Sequence, residues 1–120
     1  MMAMYFDRKD DFYFIKWSKQ VKIRDRFTCQ VCDRRGLYIE AHHMNSWDIY
    51  TDERYDLDNG VTLCGDCHKQ FHEIYGYGHN TRIQFDEFVK FSEALKLTVE
   101  RQLTTAGIVQ QVLSDLDGYQ

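Results

Sequence analysis

Cys29-Gln30-Val31-Cys32 and Cys64-Gly65-Asp66-Cys67, two C-x-x-C knuckles with 31 residues between them, decide the fold of this 120-residue chain. They hold all four of its cysteines. A C-x-x-C knuckle turns two thiolates toward one point, and two knuckles complete the tetrahedral shell that zinc prefers. Disulfides would need an oxidising compartment. The first ten residues instead carry Asp7, Arg8, Lys9 and Asp10, with no apolar run of a secretory leader. A thioredoxin-like redox site needs one C-x-x-C in a βα setting, not two without a spare cysteine. A structural Zn²⁺ on Cys29, Cys32, Cys64 and Cys67 is therefore the expectation. The gap exceeds the roughly 15–20 residues of a simple zinc ribbon, so a further element is inserted between the knuckles.

Working outward, Asp33-Arg34-Arg35-Gly36 turns the chain into Leu37-Tyr38-Ile39-Glu40-Ala41, rich in β-formers, with His42 and His43 at its end. A polar, aromatic-containing loop runs from Met44 to Leu57. Asp58-Asn59-Gly60 reads as a hairpin turn, because Asn and Gly tolerate positive φ, and leads into Val61-Thr62-Leu63 as the return strand. The second knuckle opens a short helix carrying His68, Phe71 and His72, which Tyr75-Gly76-Tyr77-Gly78-His79-Asn80 breaks. Upstream, Phe14, Trp17, Val21 and Arg24 recur every three or four residues and predict a helix over about 11–27.

Downstream, Thr81-Arg82-Ile83-Gln84 has the form of a capping box, and Phe85, Phe88, Leu95, Val99 and Leu103 suit the helix it would start. Gly107 is expected to separate that helix from a last helical stretch over 108–116. The expected fold class is α+β: a small zinc-stapled domain with its core and N-terminal helix in residues 1–80, and a C-terminal helical extension of the same domain in 81–120. The extension suits homodimerisation or partner docking, against the alternative that it packs on the domain's own core.

Hydrophobic content of 43% and aromatic content of 15% suffice for a packed core, and no apolar run approaches the roughly 20 residues of a membrane span. No membrane association and a cytoplasmic location are the default expectations. The net charge of −4 argues mildly against nucleic acid, but it is unevenly spread. Residues 1–40 hold nine Lys+Arg against six Asp+Glu, whereas residues 41–80 hold two against seven. Lys16, Lys19 and Lys22 interleave with the apolar positions of the first helix. Charge alone reads them as a solvated face; if the chain acts on DNA, they are the residues expected to touch phosphates.

Four of the five histidines flank the insert. His68 and His72 stand four apart on a helix, so their imidazoles share a face, as two ligands of one ion require. His42 and His43 are neighbours at a strand end and point to opposite faces, so one can bind metal while the other stays free to move a proton. Ordinary helix residues, or stand-in ligands of the cysteine zinc, would explain one lone histidine but not four around a zinc hairpin.

From Trp17, Val21 and Arg24-Asp25 through the first knuckle, Glu40-Ala41-His42-His43, Asn59-Gly60, Leu63-Cys64, Cys67-His68 and Phe71-His72, the sequence resembles the HNH endonuclease family, whose active site is the ββα-metal (His-Me finger) motif. The resemblance covers about residues 15–90. It implies a DNA endonuclease in which His43 is the general base, His42 and His68 are metal ligands, and Asn59 braces the loop that orients the base. His72 falls where some members, including the colicin-type nucleases, have a third imidazole ligand. A single catalytic divalent cation on His42, His68 and His72, and products with 5′-phosphate and 3′-hydroxyl ends, are implied with it. Three imidazoles favour Zn²⁺, Ni²⁺ or Mn²⁺; with water in place of His72, Mg²⁺ becomes easier to accept. The rival reading is a non-catalytic zinc module that binds nucleic acid or protein, which would need the cysteines but neither His43 nor Asn59.

Overall fold

The computed structural model describes residues 8–36 and 38–117; Leu37, expected at the start of the first strand, lies outside them. Helix α1 spans Phe12–Arg24. It starts where it does because the Asp11 carboxylate accepts the N–H groups of Tyr13 and Phe14 at 2.9 and 3.1 Å. It stops short of the expected end because Arg26 and Phe27 take positive φ (57° and 53°), which reverses the chain into the first knuckle. Arg24 and Asp25 tie this end to the hairpin. The Arg24 guanidinium donates to the Gly60 carbonyl at 2.7 Å, and the Asp25 carboxylate accepts the Thr62 N–H at 2.9 Å.

Strands β1 (Ile39–His43) and β2 (Gly60–Cys64) pair antiparallel, with His43 opposite Gly60 and Ile39 opposite Cys64. Alternation sends His43 and Thr62 to one face, where α1 lies; the Thr62 hydroxyl donates to the Val21 carbonyl at 3.4 Å. Glu40 and His42 take the other face, toward helix α2 (Gly65–Tyr75), whose Phe71 ring meets the His42 ring at 4.7 Å. The hairpin is thus a middle layer between two helices. That explains why all five residues of β2 are buried and why its sequence is not amphipathic.

The positive-φ turn expected at Asp58-Asn59-Gly60 is not formed. The strands are joined by the long segment 44–59, and Gly60 opens β2 in extended conformation at φ −108°. Glycine is needed there for space. A Cβ would sit 2.4 Å from Val21 Cγ2 and 2.7 Å from Trp17 Cζ2.

Helix α3 spans Arg82–Asp117. The capping box forms as expected: the Gln84 N–H donates to Thr81 Oγ1 at 3.2 Å, and the Thr81 N–H donates to Gln84 Oε1 at 3.1 Å. The break expected at Gly107 is absent, and the helix continues through it. A single interior glycine costs about 1 kcal/mol against alanine, too little by itself to end a helix of this length. By compactness the chain divides into residues 1–86 and 87–120. In the second unit Leu95, Val99 and Leu103 are exposed. No described helix is long and apolar enough to cross a membrane.

Candidate active site

The two knuckles converge. The sulfurs of Cys29, Cys32, Cys64 and Cys67 all lie within 4.8 Å of one another, with Cys32 and Cys64 at 3.6 Å. The first knuckle is closed by the Asp33 N–H donating to the Cys29 carbonyl at 2.9 Å, with Asp33 at φ 65°. The second forms because Cys64 ends β2 and caps α2, its sulfur accepting the Cys67 N–H at 3.4 Å. Zinc–sulfur bonds of about 2.3 Å give tetrahedral edges of about 3.8 Å, so the set fits zinc. Burial pushes the Cys67 and Cys32 thiols up, so the cluster favours thiolates only when a cation compensates them. Four protein sulfurs saturate such an ion and leave it no open position, which makes this a structural site.

The second cluster lies on the α2 face of the hairpin. His42 from β1 meets His68 and His72 from α2, their candidate ligand atoms also within 4.8 Å of one another. The Nε2 atoms of His68 and His72 are 3.0 Å apart. Each outer nitrogen is occupied: His68 Nδ1 contacts the Glu40 carboxylate, and His72 Nδ1–H donates to the Gly76 carbonyl at 2.9 Å. Both imidazoles therefore turn Nε2 inward, the orientation that a hydrogen bond on the outer nitrogen gives to metal-binding histidines. His42 is 4% exposed, and its Nε2 is buried without a hydrogen-bond partner. Burial first, then the neighbouring histidines, lowers its pKa to about 2, so it is a neutral donor. An orphaned buried nitrogen costs free energy unless something meets it, and the three imidazoles could meet one cation between them.

His43 faces the other way. Its ring stacks on Trp17 at 3.8 Å and 11°, with Phe14 and Trp47 beyond. Nε2 lies 2.9 Å from the Arg54 carbonyl, which can only accept, so Nε2 carries the proton and Nδ1 keeps its lone pair. Burial lowers its pKa to about 4; the Arg54 carbonyl opposes the shift, and the Arg8 and Arg54 charges add to it. The Arg54 carbonyl lies within the segment 44–59, which Asn59 pins at the neighbouring Glu53. Asn59, 1% exposed, accepts the Asn45 N–H at 2.8 Å and donates to the carbonyls of Asn45 and Glu53 at 2.8 and 3.3 Å.

Both faces open on one cleft of about 480 Å³, lined by the four histidines together with Arg8, Trp47 and Tyr77. His79, the fifth histidine, pairs with Asp48 at 3.1 Å instead. Lys16 and Lys19 are exposed and Lys22 half-buried on α1, and none of the three lines the cleft. Among the described residues, the cationic side chain that does line it is Arg8, whose guanidinium sits over the Trp47 ring at 5.2 Å. Sequence reasoning assigns no role to Glu40, Arg8 or Tyr77. Glu40 is within its reach: two residues before His42 in a strand, it shares that face. Arg8 and Tyr77 come from remote segments with no motif.

No curated protein and no solved structure matches the chain. Residues 29–73 match the family model described as HNH endonuclease, a span that runs from the first knuckle through both strands and into α2. It takes in the hairpin, the four cysteines and the four clustered histidines, and over those residues the chain is similar to the HNH endonuclease family.

Proposed function

We propose that this protein is a divalent-metal-dependent DNA endonuclease, with His43 as general base and His42, His68 and His72 as the ligands of one catalytic cation. The observation that carries the reading is the division of two adjacent imidazoles by one strand. His42 faces two inward-turned Nε2 atoms, while His43, its Nε2–H taken by the Arg54 carbonyl and its Nδ1 lone pair left over, lines the same cleft. His43 is neutral at physiological pH and can take the proton of an attacking water at Nδ1. The imidazolium then formed keeps its Nε2–H bond to the Arg54 carbonyl, which strengthens as the ring gains charge. Asn59 holds that carbonyl in place through the loop it pins. The cation, when bound, would neutralise phosphate charge and support the departing oxygen. An all-nitrogen donor set favours Zn²⁺, Ni²⁺ or Mn²⁺ over Mg²⁺.

The test is incubation of the zinc-loaded protein with supercoiled plasmid, alone and with each of these ions. Added ion should convert plasmid to relaxed and then linear forms. Protein that binds the plasmid but fails to cut it with any of these ions would favour the non-catalytic zinc module.

A further inference from the structure

Tyr77 lines the cleft and has no part in the proposed chemistry. Its ring lies parallel to His72, centroids 4.4 Å apart and planes at 11°, so one face is covered by an imidazole. The residue is nonetheless 79% exposed. Gly76 and Gly78 flank it at φ 81° and 88°, a region that favours glycine, so the backbone is shaped to project this side chain. The display is rigid. The His79 N–H donates to the Asp48 carboxylate at 3.0 Å, and the buried Asn80 amide donates to the Gly76 carbonyl at 3.2 Å.

We infer that the open face of Tyr77 is a nucleobase-stacking subsite, which takes one base of a DNA strand whose phosphates face the histidines and Arg8. The inference rests on the nuclease reading for its class of ligand. A flat aromatic face in the same cleft as the Arg8 guanidinium offers a nucleotide its two needs, a π surface for the base and positive charge for the phosphate, to which a cation on the histidines would add. Preorganisation lowers the ordering cost of the contact. A base can reach an aromatic platform only when it is not paired within a duplex stack, so the preferred substrate is single-stranded, or duplex DNA opened at one nucleotide.

The experiment uses the full chain with His43→Ala and without added divalent ion, so that cutting is suppressed, and oligonucleotides carrying one 2-aminopurine at each position in turn. Single-strand affinity should fall about 5–150-fold in Tyr77→Ala and recover in Tyr77→Phe. The probe should be quenched at one position by the Tyr and Phe proteins but not by Tyr77→Ala or Tyr77→Leu. An abasic site at that position should weaken the Tyr77 protein by the same factor and leave Tyr77→Ala unaffected. Equal affinity and quenching in all variants, or no strand binding by any, would overturn the subsite. So would unchanged DNA binding with abolished Mn²⁺ binding in Tyr77→Ala, which would make the ring a brace for His72. Plasmid cleavage by the protein with His43 restored keeps the two readings apart. Cleavage without position-specific quenching sinks only the subsite, and quenching without cleavage sinks only the nuclease.

Discussion

At the scale of the residue, burial sets what each imidazole can do. For His43, held near 4 by burial against an ordinary 6.5, the folded state resists a proton that the unfolded chain accepts. Stability is full above about pH 6.5 and is lost as pH falls toward 4, where the loss reaches about 3 kcal/mol. Denaturant midpoints between pH 7 and 4.5 should therefore fall more steeply for the wild type than for His43→Gln. Parallel profiles would mean that the ring is not desolvated. Gly60 gives a sterically cleaner case. Its Cβ would overlap Val21 and Trp17, so Gly60→Ala should cost about 1–3 kcal/mol and disturb the Trp17–His43 stack. An unchanged midpoint would refute that packing. The histidines are legible in the sequence because strand alternation and helical periodicity are local rules. The partners of His43 are not: Trp17 and Arg54 reach it only after the chain has folded.

At the scale of the element, the segment 44–59 is the part that propensity describes least well. Polar and aromatic, it reads as loop, yet Asn59, the residue before β2, draws its start and middle together with three hydrogen bonds to Asn45 and Glu53. Asn59→Ala would leave the Asn45 N–H and two carbonyls to find new partners, at about 1–3 kcal/mol for each group left buried and unpaired. Hydrogen exchange at the Asn45 amide should quicken markedly while the four-cysteine site stays intact. Protection equal to wild type would show that the loop holds without it. The Asn-Gly pair reads as a turn because those residues favour positive φ, but tertiary packing uses them otherwise: Asn59 as a buried brace, Gly60 as a gap for Trp17. Gly107 reads as a break for a similar reason, and an isolated glycine is too weak a signal to end a helix. The start of α3 is legible because a capping box is local chemistry, as Thr81 and Gln84 show.

At the scale of the molecule, the hairpin is held at its open end, where Ile39 pairs with Cys64, by the cysteine cluster, and structural zinc contributes an apparent ~10–16 kcal/mol in small peptides, as much as a whole domain's net stability. Elemental analysis should find one tightly held zinc per chain, and Cys64→Ser should release it and unfold the hairpin. Folded protein without zinc would contradict this. The basic excess of residues 1–40 is a claim of the same scale. Changing Lys16, Lys19 and Lys22 together to Gln should reduce the slope of log affinity against log salt by about 0.9 for each phosphate that the lysines neutralise. An unchanged slope would return all three to the solvated face. Above both stands the division of labour between neighbours in β1, and the most direct test is the plasmid cleavage rate against divalent-ion concentration for wild type, His42→Ala and His43→Ala. His42→Ala should need far more ion and regain part of its rate at high concentration. His43→Ala should stay about 10²–10⁴-fold slow at every concentration, because the missing step is proton abstraction. Rescue of His43→Ala by excess ion with none for His42→Ala would reverse the assignment, and wild-type rates in both would contradict it altogether.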